Sequence, residues 1–236
     1  GIKNPTITNH SWSYGYNLAD ILEKASLDLA DITQVIYRGT TFNSGNPNPS
    51  GWTWAGLGAD FGFASNKMKI NADNASTNAD VEDAIAEGIV IVAAAGNNNF
   101  YCVPDGDPDR DNRVGINGIG NLYYNRGSSP GNSGNTITVG SLSNHHEFRR
   151  STFSNFGSSI DVFAPGNNII SAYNNSGLVD NKYSAGSGNW YYPIQGTSMA
   201  SPQVAGVLAC LATGKERFNQ NDAKGYLDST GIYNDM

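Results

Sequence analysis

The chain has 236 residues, 39% of them hydrophobic and 11% aromatic, so it can bury a sizeable core, and one large domain is the first expectation. Its net charge is −7, and no basic cluster is longer than Arg149-Arg150, which argues against a nucleic-acid or anionic-membrane partner and leaves a neutral or cationic one. No apolar run reaches the ~20 residues of a spanning helix, and the first residues show neither a basic n-region nor an apolar h-segment, so a soluble chain is expected.

In chain order, Pro5 to Trp12 (PTITNHSW) reads as a short strand. Leu18 to Ile36 reads as an amphipathic helix, with Leu18, Ile21, Leu22, Ala25, Leu29 and Ile32 near helical spacing. The stretch TTFNSGNPNPSGWTWAGLGADFG is dense in turn formers and predicts an inserted surface loop over about residues 37–66. Asp80 to Glu87 gives a helical turn or two stopped by Gly88, and IVIVAAAGN continues as a fully apolar strand of the kind buried inside parallel sheets. A loop is expected from Asn98 to Asn135. Beyond it TITVGSL and IDVFAPG read as strands, and VAGVLACLA as a buried helix. The alternation predicts an α/β fold in three layers, a mostly parallel sheet flanked by helices. The β-prone ITNHSW so soon after Gly1 reads as mid-domain, and the chain is expected to be a piece of something longer.

Cys102 falls in a polar loop and Cys210 in the apolar helix, which argues against a disulfide and predicts a buried free thiol at Cys210. In DGDPDRDN, Asp105, Asp107, Asp109 and Asp111 alternate. Such carboxylates repel one another without a cation, so a structural Ca2+ is one reading and a solvated acidic turn the other. The twelfth position from Asp105 is Ile116, not an acid, so this is no EF-hand.

The segment GTSMASPQ, Gly196 to Gln203, opens the last apolar helix. Ser198 there has a plain explanation as a helix cap, and Pro202 suits a first helical turn. The same geometry also serves a nucleophile, because the free N–H groups and positive dipole end of a helix stabilise developing negative charge. GTSMASP followed by VAG at Val204 to Gly206 resembles the nucleophile signature of the subtilisin-like serine proteases. Three more segments resemble that family in its own order: NHSW at Asn9 to Trp12, AAAGN at Ala93 to Asn97, and FSNFGSSIDVFAPG at Phe153 to Gly166.

The resemblance implies a serine endopeptidase acting on extended polypeptide, with Ser198 as nucleophile and Asn97 as the side-chain oxyanion donor. It implies that Ser11, Trp12 and Ser13 pair with substrate backbone and that, with Ala94, Ala95 and Gly96, they wall the pocket for the residue before the scissile bond. The chemistry requires no cofactor. Two family motifs are missing, the aspartate in Asp-Ser/Thr-Gly and the histidine in His-Gly-Thr, so a base and its orienting acid are expected from an upstream segment or companion chain. His10, His145 and His146 are poor substitutes, His10 because strand alternation turns it from Ser11, the others because SNHHEFRR reads as a charged turn. Asp228 to Gly231 looks like the aspartate motif but reads as a helix end, and Gln203 stands where the family carries histidine. Two alternatives stay open, a non-catalytic structural or interaction module and a calcium-stabilised binding domain. A secreted or particle-associated setting is favoured over the cytoplasm.

Overall fold

The structure, a computed structural model, describes residues 4–45, 52–62, 69–71, 73–145, 147–173, 183–184, 186 and 189–232. β1 (Thr6–His10) and β2 (Gly15–Asn17) lead into α1 (Leu18–Lys24), a 3-10 turn at Leu29–Asp31, β3 (Ile32–Tyr37) and β4 (Thr40–Asn43). Next come α2 (Trp54–Phe61), β5 (Lys69–Asn71), α3 (Ala75–Ala86) and β6 (Ile89–Ala94). β7 (Arg113–Ile116), β8 (Gly120–Tyr123), β9 (Ile137–Leu142) and β10 (Val162–Pro165) follow. β11 (Ile169–Tyr173), β12 (Tyr183–Ser184), β13 (Trp190–Ile194), α4 (Thr197–Ala212) and α5 (Gln220–Thr230) close the order.

The central sheet is parallel, in the order β1-β6-β9-β10. Val90 and Val92 of β6 and Ile137 and Val139 of β9 are fully buried against Ala200, Val204 and Leu208 of α4 and Phe218 and Ala223 near the start of α5. Fully burying each such aliphatic side chain stabilises by about 1.5–3 kcal/mol. Ile91 and Ala93, on the opposite face of β6, are buried too, and α3 packs on this strand. A strand covered on both faces has no solvent-facing position to keep polar, which is why IVIVAA is apolar throughout. The three-layer α/β expectation matches this architecture. α5 is tied in by Gln220, 3% exposed. Its side chain accepts from Ile91 N–H at 2.8 Å and donates to Ile91 O at 3.1 Å, extending the ladder just before β9 begins.

A second sheet, antiparallel in the order β4-β3-β7-β8, has its own core of Leu18, Leu22, Ile32, Val35, Leu57, Phe61, Val114, Ile116 and Tyr124. Here the structure corrects three expectations. The helix foreseen over Leu18 to Ile36 ends at Lys24; Asp28 then caps the 3-10 turn by accepting from Ala30 N–H at 2.7 Å, and the β-branched ITQVIY becomes β3. Ile32 and Val35 imitate helical spacing, but a register shift between Ile32 and Gln34 puts two residues three apart on one strand face. The loop foreseen over 37–66 contains β4 and α2 in its described part, and Leu57 and Phe61 of α2 are core residues. Thr53 caps α2 by accepting from Gly56 N–H at 3.0 Å, and Gly62 ends it in the left-handed conformation at φ 73°. The loop foreseen from Asn98 to Asn135 carries the β7–β8 hairpin.

The thiols are also reversed from expectation: neither cysteine forms a disulfide, but Cys102 is buried and Cys210 exposed. No described helix is long and apolar enough to cross a membrane.

Candidate active site

Gly196 is the N-cap of α4, which makes Ser198 its second residue, and Gly196 has no side chain with which to cap the helix. Ser198 therefore does not perform the capping duty that its position first indicates. Its hydroxyl donates instead to the Ser11 carbonyl oxygen at 3.1 Å, and the Ser11 hydroxyl donates back to the Ser198 carbonyl oxygen at 2.9 Å. Pro202 explains the second bond. It occupies the sixth helical position, not the first turn, and has no N–H with which to meet the carbonyl four residues earlier, that of Ser198. The Ser11 hydroxyl takes over that vacant bond. It also accepts from Asn9 Nδ2 at 2.9 Å and lies 3.3 Å from the hydroxyl of buried Ser201.

Asn97 sits in the turn after β6. Its Oδ1 accepts from Thr197 N–H at 2.8 Å and from the Thr197 hydroxyl at 2.9 Å. A backbone N–H can only donate, so the amide orientation is fixed and Nδ2 turns away from Thr197, without an acceptor among the described residues. A Cβ built on Gly196 would stand 3.3 Å from Asn97 Nδ2 and 3.6 Å from the Ser198 nitrogen, so donor amide and helix N–H flank the same small space. The Ser198 N–H has no intrahelical acceptor, being in the first turn. Two unspent donors thus lie within 3.6 Å of one point beside Gly196, which Met199 Sδ approaches equally closely.

The turn is held from beneath by Asn155, 1% exposed. Its Oδ1 accepts from Asn98 N–H at 3.1 Å and Phe100 N–H at 3.0 Å, and its Nδ2 donates to Ala95 O at 2.7 Å. Gly96 has φ +102°, and a Cβ there would lie 2.6 Å from Asn155 Nδ2, so only glycine lets the amide this close. The Thr197 hydroxyl also accepts from Gly96 N–H at 3.1 Å. Gly166 positions the other side, accepting at its carbonyl from Gly196 N–H at 2.8 Å; a Cβ on Gly166 would meet Ser141 Oγ at 2.4 Å.

Ser11, Trp12 and Ser13 continue from β1, an edge strand among the described residues. Trp12 and Ser13 have no backbone partner among the described residues, and Trp12 packs edge-on between His10 and Tyr14 at 5.9 and 5.6 Å. Ala94 and Ala95 are buried; Ala95 borders a narrow recess with Gly127, Ser128 and Gly131, whereas Ser13 borders a separate, wider groove. The structure therefore brings Ser198, Asn97 and Ser11 together and spreads the expected pocket wall over two depressions.

A model of the subtilase family matches residues 3–231. The chain belongs to the subtilase family. This subtilase is 35% identical over 131 residues to an alkaline proteinase of Hapsidospora chrysogena, covering 56% of the chain and 24% of that protein. It is 32% identical over 208 residues to subtilisin-like protease 3 of Pseudogymnoascus destructans, covering 83% and 42%. Among solved structures it is similar to proteases from Pseudoalteromonas arctica PAMC 21717, with TM-score 0.50, 28% identity, and coverage of 69% and 42%. The chain spans less than half the length of these relatives.

Elsewhere in this subtilase, His10 Nε2 lies 3.1 Å from Thr8 Oγ1, and burial lowers the imidazole from its ordinary range. The Ser198 hydroxyl bonds to the Ser11 carbonyl oxygen, not to a histidine. His145 lies in the turn after β9, and His146 lies outside the described residues. Asp228 to Thr230 form the last turn of α5, the Ser229 and Thr230 hydroxyls donating to Tyr226 O. Gln203 donates to Met199 O and Pro165 O, a tie between α4 and β10.

In the acidic loop, Asp105, Asp107, Asp109 and Asp111 all have partners within the protein. Asp109 is bridged by Nε and Nη2 of Arg38 at 2.7 and 2.8 Å, Asp105 pairs with Arg110 and Asp111 with Arg126. Asp107 Oδ1 accepts from Asp109 N–H. Among the described residues no cluster of three or more metal-ligating side chains forms. Arg110 within the loop and Arg38 and Arg126 outside it answer the repulsion that a cation was expected to relieve. Sequence reasoning also missed Asn155 and Thr197 as positioning residues. The only local signal was that each is a polar residue set among the small residues of a motif.

Proposed function

We propose that this chain contributes the nucleophile and oxyanion-binding part of a serine endopeptidase acting on extended polypeptide. The observation that carries this reading is the locked Asn97 amide, whose free Nδ2 shares a space with the Ser198 N–H at the start of α4. Ser198 Oγ attacks the peptide carbonyl carbon, and these two donors receive the oxygen as it becomes negative. The hydroxyl proton passes to a histidine outside this chain and from there to the departing amine. Water then hydrolyses the Ser198 ester, releasing the acid and restoring the hydroxyl.

The segment that supplies histidine and aspartate has a surface ready for it. α4 is apolar nearly all round, yet Val207 is half exposed and Gly206 and Cys210 share its open face. A helix apolar on every side belongs inside a larger core. The free edge of β1 adjoins the same helix. A secreted or particle-associated setting suits a family that includes a cuticle-degrading serine protease of Arthrobotrys oligospora.

One observation favours the non-catalytic reading: the Ser198 proton is given to a carbonyl oxygen, not to a base. Fluorophosphonate labelling of the protein isolated from its native host separates the two. Labelling at Ser198, absent in Ser198→Ala, is expected. An unlabelled protein would leave the structural module as the reading.

A further inference from the structure

Arg149 pairs with Glu147 at the surface, whereas its neighbour Arg150 is half-buried and meets no carboxylate among the described residues. Burial alone pulls the Arg150 guanidinium below its ordinary range, with no neighbouring charge to offset it. Its Nη1 donates to Asn99 Oδ1 at 2.8 Å, to Ser154 O at 2.5 Å and to Ser151 O at 3.3 Å. Its Cζ lies 4.4 Å from the centre of the Phe156 ring. An unpaired cation drawn partly out of water costs free energy, so the oxygens it gathers are what keep it there.

Those oxygens join two segments. Ser151 and Ser154 lie just before Asn155, and Asn99 lies two residues after Asn97 in the turn that follows β6. Asn99 has φ 54°, the left-handed conformation that reverses the chain, and its N–H donates to Phe153 O at 2.8 Å. Asn155 holds the buried side of this turn through the N–H groups of Asn98 and Phe100. Arg150 holds the exposed side, through the Asn99 side chain. Asn97 is thus steered from two ends, its amide by Thr197 and its backbone by the turn. We infer that Arg150 is a positioning residue for the proposed oxyanion donor: acting through Asn99, it holds the turn so that Asn97 Nδ2 stays beside the Ser198 N–H. This deepens the protease reading, on which its kinetic consequence rests. A donor that meets the oxygen only as it becomes negative affects kcat when displaced and leaves KM alone.

Two substitutions separate this role from a general structural tie. Asn99→Gly keeps the left-handed turn and deletes only the acceptor, and Arg150→Ala deletes the donor. In the full-length protein purified from its native host, each is expected to lower kcat about tenfold with KM unchanged, less than removal of Asn97 itself because the displaced donor is still present. The double variant is expected to fall no further than Arg150→Ala alone, and Arg150→Lys to recover part of the loss. The side-chain amide signal of Asn97, recorded by 15N–1H NMR on the same proteins, is expected as one sharp pair in the parent and as a shifted or broadened pair in both variants. Circular dichroism confirms folding; if Arg150→Ala does not fold, Asn99→Gly and Arg150→Lys decide. Additive losses, a change confined to KM, an unaltered kcat in an active parent or an unaltered Asn97 signal overturns the proposal. A parent without peptidase activity rejects the protease reading alone, and the Asn97 signal then decides the positioning role.

Discussion

Ser11 and Ser198, 187 positions apart, each donate a hydroxyl hydrogen to the other's carbonyl oxygen, at 2.9 and 3.1 Å. One bond compensates for Pro202 and the other engages the Ser198 hydroxyl. Ser11→Ala strands the Ser198 carbonyl, and losing such a partner costs about 1–3 kcal/mol. In the Pro202→Ala background a backbone N–H is restored to that carbonyl, and the cost of Ser11→Ala should fall by at least half. A double-mutant cycle by urea denaturation measures this; additive effects would contradict the arrangement.

Asn97→Ala removes the free Nδ2 donor and also the Oδ1 acceptor of Thr197. Loss of one oxyanion donor lowers kcat about 10²–10³-fold, a magnitude established in a subtilisin. With the active protein we expect that loss in kcat while KM moves little. A change confined to KM would place Asn97 in ground-state binding instead.

Asn155→Ala leaves two N–H donors and one carbonyl unmet in the core beneath the turn that carries Asn97. At about 1–3 kcal/mol for each unsatisfied group, with partial relaxation, a loss of about 2–5 kcal/mol is expected. Amide exchange of Asn98 and Phe100 should accelerate with it. Protection unchanged at those two amides would show that the turn does not depend on Asn155.

Asp109 gives a pH-dependent signature. The Arg38 hydrogen bonds hold its carboxyl below the usual range, against the opposing effect of burial and with help from Asn112. Because the folded value lies below the unfolded one, this stabilisation is present above the ordinary aspartate range, about 3.9, and disappears as pH falls through the folded value. Arg38→Ala should lower Tm clearly at pH 7 and hardly at pH 2. A Tm difference that is constant across that range would exclude the linkage.

With arginines answering the acidic loop, excess EDTA should leave the thermal transition unmoved. A fall of several degrees would show that the aspartates hold a cation after all.

How much of this could be read from residues alone depended on range. β6 and the GTSMASP helix start were legible because burial on both faces and a strict motif leave a local trace. Arg38 with Asp109, and Ser11 with Pro202, were illegible because each pairs residues far apart in the chain. β3 was misread for a different reason: Leu29 and Ile32 continue the helical spacing of α1 past its end at Lys24.

The second sheet interleaves strands from both sides of β6, β3 and β4 before it and β7 and β8 after it. During synthesis the β3–β4 hairpin therefore emerges with one bare flank and stays so until Arg113 to Ile116 have left the ribosome. That interval is when the nascent chain is most open to mispairing, and a chaperone or a slow codon run there would act on this flank.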